Sequence, residues 1–301
     1  MSSSRTLPLQ DLLVKTSRTF ALAIPLLGEP TETEVGLAYL LFRVADTVED
    51  ASSWSRAERT AGLADFAALM GSPDLSRART LAEDWNRREV TDHAGYRELI
   101  DFLPELIEAT VALPDSARAI VTQHVVRTAI GMKEIIESGD LDGHVHLGSL
   151  DELKKYCYVV AGIVGELLTD LFINDAPQLQ AEREVLHANQ VAFGEGLQLV
   201  NILKDERDDA EGGRSYLPKG VDKAEVLALA RADLVCAKAY TDALERGGAT
   251  AGMVAFTTLP RQLAEAALSR IEDAGAGAKV SRAQVGEMLE KLQRFVSAGG
   301  K

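Results

Sequence analysis

Apolar residues recur at steps of three and four along almost all of this 301-residue chain, and no run of β-branched residues alternates strictly with polar ones. A period near 3.6 puts those residues on one face of a helix, whereas a half-buried strand needs a period of two. The pattern predicts an all-α protein. It places helices at 7–26, 31–51, 55–70, 78–90, 94–111, 116–138, 150–173, 180–209, 222–246, 250–273 and 281–297. Pro30-Thr31-Glu32 and Pro114-Asp115-Ser116 have the make-up of helix starts, with proline and early acidic residues. Loops are expected at Gly139–Ser149 and Asp209–Asp222, which are rich in Gly, Asp and His or in Gly and Pro. With no repeat and no low-complexity linker, a single helical domain over 1–301 is the simplest organisation.

Charge narrows the partners. There are 46 Asp plus Glu against 32 Lys plus Arg, a net charge of −14. Such a surface repels phosphodiester backbones, so no nucleic-acid partner is expected, and it discourages loose docking on anionic lipid. The two cysteines, Cys157 and Cys236, sit in apolar helical segments, so no disulfide framework is expected and a reducing, cytoplasmic location is the default. No secretory leader, no run of about 18 uninterrupted apolar residues and no C-terminal anchor is read from the sequence, so no transmembrane anchor is expected.

The chemistry concentrates in two helices. Asp46, Glu49 and Asp50 stand at i, i+3 and i+4, on one helical face, just after the apolar run Val35–Phe42 and three residues after Arg43. Taken alone, this is either an acidic helix end facing water or a cluster that needs a cation. Gln198, Asn201, Asp205 and Asp209 form a second oxygen-rich stripe, on a helix otherwise lined by Leu197, Leu199, Val200, Ile202 and Leu203, with Lys204 interrupting and Asp208 alongside. Two such faces in one helical protein suit a hard divalent cation. Magnesium takes few protein carboxylates and completes its shell with water and substrate phosphate, and a diphosphate leaves only once its charge is neutralised. A third segment, Lys155–Gly165, carries Tyr156 and the small residues Ala161, Gly162 and Gly165, which allow close approach by a neighbouring helix or by a bulky apolar ligand.

These segments together resemble a known family. Ser17-Arg18-Thr19-Phe20, Tyr39, Arg43 with Asp46-Thr47-Val48-Glu49-Asp50, Tyr156-Cys157 with Ala161-Gly162 and Gly165, and Asn201-Ile202-Leu203-Lys204-Asp205 through Asp209 are similar, in order and interval, to the squalene and phytoene synthases. The likeness covers roughly residues 12–290. Asp46–Asp50, Gly131-Met132 and Phe256–Pro260 with Leu263-Ala264 resemble the squalene branch, whereas Gly213–Pro218 resembles the phytoene branch. Lys204 stands where the family usually has arginine, which keeps the charge but loses the bidentate grip on phosphate.

The resemblance implies an all-α isoprenoid synthase bundle with a central apolar cavity. It implies Asp46, Glu49, Asp50, Asp205 and Asp209 as magnesium ligands, and Ser17, Arg18, Arg43, Lys204 and Arg214 as contacts to phosphate, with Tyr39 also in the substrate site. Tyr156 would assist proton transfer or guide the cation, Gln198 and Asn201 would line the pocket, and Phe256 and Pro260 would shape its far wall. The expected reaction joins two farnesyl diphosphates head to head into presqualene diphosphate, which NADPH reduces to squalene for sterol or hopanoid synthesis. Relatives that stop at presqualene diphosphate, or make dehydrosqualene, hydroxysqualene or phytoene, are the alternatives, followed by a non-catalytic scaffold. No Gly-x-Gly-x-x-Gly follows a strand, so the nicotinamide site is expected at the basic flap Lys279 and Arg282 after Gly275–Ala278, with an ordinary solvated loop as the competing reading. Peripheral membrane contact would serve product release. Zinc at His144 and His146 lacks a third ligand nearby.

Overall fold

The computed structural model of the chain describes residues 6–17, 19–139, 146–211, 215–277 and 279–300. Among them no strand occurs, and the single extended pairing is a bridge between His146 and Ser215. The all-α expectation holds. The chain divides into two compact units, Met1–Ala21 with Glu32–Gly143, and Leu22–Thr31 with His144–Lys301.

The first unit is built from α1 (Leu9–Thr16), most of α3 (Thr31–Glu49), α4 (Arg56–Gly71), α5 (Leu75–Arg87), α6 (Ala94–Asp101), α7 (Leu103–Val111) and α8 (Asp115–Ser138). The short α2 (Phe20–Ala23) straddles the boundary. Two expected helices are broken. The one at 7–26 stops at Ser17, whose Oγ accepts the Phe20 N–H at 3.0 Å and so starts α2 afresh. The one at 94–111 breaks at Phe102, because Pro104 has no N–H and opens a new helix at its second position. The helix expected at 78–90 starts three residues earlier, since Asp74 caps it by accepting from the N–H groups of Ser76 and Arg77.

The second unit is built on α11 (Arg183–Glu211), flanked by α9 (Leu150–Cys157), α10 (Ile163–Asp175), α12 (Lys223–Arg246) and α13 (Ala251–Ala274), with α14 (Arg282–Ser297) packed on α13. Between α9 and α10 the chain makes a π-helical turn, Tyr158–Gly162. The small residues explain it: a Cβ on Gly165 would lie 1.8 Å from the Gln190 carbonyl oxygen, and one on Gly194 would lie 1.9 Å from that of Ala161. α10 and α11 therefore cross backbone on backbone. Of the two uses open to these small residues, the neighbouring helix takes them. Ile24–Leu26 packs under the start of α13, where a Gly252 Cβ would come within 2.3 Å of the Leu26 carbonyl, and Thr31 Oγ1 donates to Asp175 at 2.6 Å. By length and composition the stretch Leu150–Asp175 could cross a bilayer, but 61% of its apolar window is buried inside the protein, as in a core helix.

Candidate active site

In the first unit, α3 drives its apolar face into the core: Val35, Leu37, Leu40, Leu41, Val44 and Val48 are buried. That packing fixes the rotation of the helix and hence the direction of its polar residues. Arg43 Nη1 pairs with Asp46 at 3.2 Å, and its Nη2 donates to the Tyr39 hydroxyl at 3.0 Å. Tyr39 in turn donates to the Thr16 carbonyl at 3.2 Å, beside Ser17. Asp46 and Arg43 are each about a quarter exposed on their side chains, at 29% and 26%. Asp50 lies past the helix end and is exposed, while Glu49 is buried and its carbonyl accepts from Arg59 at 3.1 Å. The three carboxylates thus leave one turn for three different environments. Arg18 lies outside the described residues.

Charge at this turn is finely balanced. Burial pushes the Asp46 carboxyl up to about 6, with Arg43 opposing and Asp50 adding to the rise. Burial pulls Arg43 down, but Asp46, Tyr39 and Tyr96 outweigh it and hold the guanidinium firmly charged. A carboxyl whose charge is penalised by its surroundings gains from an added cation.

In the second unit, α11 presents Gln198, half-buried, and then Asn201, Lys204, Asp205 and Asp209. The structure brings the middle three together: Lys204 Nζ donates to Asn201 Oδ1 at 3.0 Å and pairs with Asp205 at 3.2 Å. The Gly277 N–H donates to the Lys204 carbonyl at 2.9 Å, which ties the loop before Lys279 to this same turn of α11. Lys279 and Arg282 are exposed on a turn braced by Arg270, which donates to the Lys279 carbonyl and to Gln284, while Ser281 caps α14. Arg214, His144 and the side chain of Asp208 lie outside the described residues.

Tyr156 is buried, and its ring lies 4.8 Å from that of Tyr216. Tyr216 is brought there by the segment after the second acidic helix, where Leu147 N–H donates to the Ser215 carbonyl at 3.1 Å. Phe256 and Pro260 are buried within α13, and Phe256 meets Phe172 edge to face at 6.2 Å. These two belong to the helical core.

Sequence reasoning missed a half-buried acid pair in the second unit. Burial and then the nearby Asp233 push Glu195 up to about 7, while Lys154 pulls it down. Asp233 is itself pushed up to about 6 by burial. A carboxylate one turn before Gln198 on an apolar helix was the available signal, and it was hidden by the many charged residues elsewhere.

On each acidic helix, taken by itself, the oxygen donors fit magnesium. Among the described residues no three acidic, histidine or cysteine side chains converge into a ready cage, as suits an ion that relies on one or two carboxylates and on substrate phosphate. The two exposed cations on a braced turn likewise fit the anionic end of a nicotinamide dinucleotide.

Comparison with known proteins follows the same line. The family model for squalene/phytoene synthase matches residues 13–288. The squalene synthase of Homo sapiens is 28% identical over 210 residues, covering 69% of this chain and 45% of that protein. That of Yarrowia lipolytica is 28% identical over 214 residues, covering 70% and 45%. The chain spans about half the length of the curated relatives it matches. A structure of TcSQS with the ligand BPH1237 superposes with a TM-score of 0.73 at 21% identity, covering 96% of this chain and 90% of that one. A dehydrosqualene synthase in complex with ligand gives 0.55 at 19%, covering 96% and 95%. At these identities the structural likeness is one of fold.

Proposed function

The chain belongs to the squalene/phytoene synthase family, and from that premise we propose that it condenses two farnesyl diphosphates head to head and reduces the product with NADPH to squalene. The observation that carries this reading is the pairing of a cation with a carboxylate on each acidic helix, Arg43 with Asp46 and Lys204 with Asp205. A diphosphate needs both kinds of group: cations for its oxygens and carboxylates for the metal that accompanies it.

In the first half-reaction one substrate loses diphosphate, a carbon–carbon bond forms with the second, and a proton leaves as the cyclopropane closes. Arg43 and Lys204, with Ser17, Arg18 and Arg214, would bind the phosphate oxygens. Asp46, Glu49, Asp50, Asp205 and Asp209 would hold magnesium, which when bound supplies Lewis-acid neutralisation of the leaving group. Tyr156, with its ring fixed against Tyr216, is the proposed proton carrier. Gln198 and Asn201 would orient the reacting chains, and apolar side chains would keep water from the cation. Lys279 and Arg282 would hold NADPH, which when bound supplies a hydride for the second half-reaction, in which the remaining diphosphate leaves. The two thiols, Cys157 and Cys236, are free, which suits the cytoplasmic location proposed with this activity.

A second reading stops without reduction, at dehydrosqualene. It is favoured by the phytoene-like segment Gly213–Pro218 and by the fold likeness to a dehydrosqualene synthase. One experiment separates the two. Purified protein is incubated with farnesyl diphosphate and magnesium, with and without NADPH, and the hydrocarbon is identified. Squalene formed only with NADPH supports the first reading. One identical C30 hydrocarbon under both conditions supports the second, and no C30 product at all defeats both.

A further inference from the structure

α6 carries a residue that no family motif in this chain includes, and it reaches the phosphate-binding arginine. The Arg43 guanidinium carbon lies 5.6 Å from the centre of the Tyr39 ring and 5.5 Å from the centre of the Tyr96 ring. We propose that Tyr96 is a positioning residue for diphosphate binding, its ring holding the Arg43 guanidinium in the orientation in which it meets phosphate oxygens. The proposal rests on the reading of Arg43 as a phosphate contact.

A guanidinium has five N–H donors and a long flexible stem, so it grips a diphosphate well only when its plane is fixed beforehand. Arg43 is fixed on two edges by Tyr39 and Asp46. Its Nε is buried and makes no hydrogen bond among the described residues. The group is therefore held at that end by ring faces, not by acceptors, and the quadrupole of an aromatic face attracts a cation in this position.

Tyr96 is itself held. The His93 ring lies 4.2 Å away, and His93 Nδ1 caps α6 by accepting the Tyr96 N–H at 3.3 Å. α6 is pressed onto α1: a Cβ on Gly95 would lie 2.7 Å from the Lys15 carbonyl, and Lys15 pairs with Glu98 at 2.8 Å. The contacts close a loop, because Thr16 at the end of α1 accepts from Tyr39, which accepts from Arg43, which faces Tyr96 on α6. Each member limits the freedom of the next; Tyr39 and Asp46 meet the arginine with oxygen atoms, and Tyr96 meets it with its ring. Its hydroxyl is dispensable to this role and its aromatic face is not.

The test compares Tyr96→Leu, Tyr96→Met and Tyr96→Phe with Arg43→Gln. Binding of inorganic pyrophosphate in the presence of magnesium is measured by titration calorimetry, and KM for farnesyl diphosphate and for NADPH by steady-state kinetics. Tyr96→Leu is expected to weaken pyrophosphate about tenfold and to raise KM for farnesyl diphosphate by a similar factor, while KM for NADPH stays put. Tyr96→Phe, which keeps the ring, recovers pyrophosphate binding to within about twofold. Tyr96→Met fills similar space without a ring and carries the same expectation as leucine if that variant fails to fold. Should the leucine and methionine variants bind pyrophosphate as the unaltered protein does while Arg43→Gln loses it, Tyr96 is a packing residue and the proposal is wrong. Should Arg43→Gln itself bind normally, the phosphate role of Arg43 falls and the proposal falls with it.

Discussion

Asp46 meets burial, one cation and one like charge within a single turn, which is why its carboxyl is pushed up to about 6. Replacing it by asparagine keeps its size and removes the charge. The expected result is a fall in turnover of at least about a hundredfold, corresponding to a few kcal/mol of lost charge stabilisation, with the helical circular dichroism unchanged. A chelator should reproduce the loss and added magnesium reverse it; full turnover under chelation would refute the metal assignment. Glu195 yields a different test, one of stability. Its carboxyl is raised from 4.5 to about 7 by burial and by Asp233. Below the lower value both folded and unfolded chains hold the proton. Between the two values the unfolded chain releases it and the folded chain keeps it, so stability falls as pH rises and the penalty is complete above about 7. Glu195→Gln should therefore raise the urea midpoint at pH ~8 and change it little at pH ~5. An equal effect at both pH values would show that the carboxyl is not strained by its charge. The acidic stripes were legible in the sequence because their i, i+3, i+4 spacing is local. Glu195 with Asp233 and Tyr96 with Arg43 were not, because each pair joins residues of different helices.

Among the elements, the crossing of α10 and α11 is the most demanding. Its glycines admit no side chain: the nearest obstacle to a Cβ on Gly165 is a carbonyl oxygen of the facing backbone, which cannot swing aside as a side-chain tip would. Gly165→Ala is expected to destabilise the protein by about 3 kcal/mol or more, read as a lowered thermal midpoint. A variant melting within a degree of the unaltered protein would mean that the helices separate freely. The helix type of nearly every segment could be read from apolar periodicity, since burying one face requires it. Several ends could not. They were decided by one or two local hydrogen bonds, such as those of Asp74 capping α5 and of Ser17 restarting the chain at Phe20, and by the missing N–H of Pro104. The π-helical turn before Gly165 was likewise hidden, because it answers to α11, whose glycine lies 29 residues further on at Gly194.

At the scale of the whole molecule, the net charge of −14 means that an anionic cofactor must find a local exception. Neutralising Lys279 and Arg282 together is expected to raise KM for NADPH about tenfold, as the loss of two phosphate contacts would, and to leave presqualene diphosphate formation nearly intact. Product analysis of the double variant should find that intermediate accumulating; an unchanged response to NADPH would move the cofactor elsewhere. The division into two compact units was hidden in the sequence, because two of its boundaries, Ala21/Leu22 and Thr31/Glu32, fall within helices. That threading has a bearing on how the protein is made. Leu22–Thr31 leaves the ribosome well before its packing partner at Gly252, which is synthesised more than two hundred residues later. Until then the segment has apolar residues such as Ile24, Leu26 and Leu27 and nowhere to bury them, so the nascent chain carries a sticky, unclaimed decapeptide while those intervening residues are made, the kind of exposure that chaperones exist to cover.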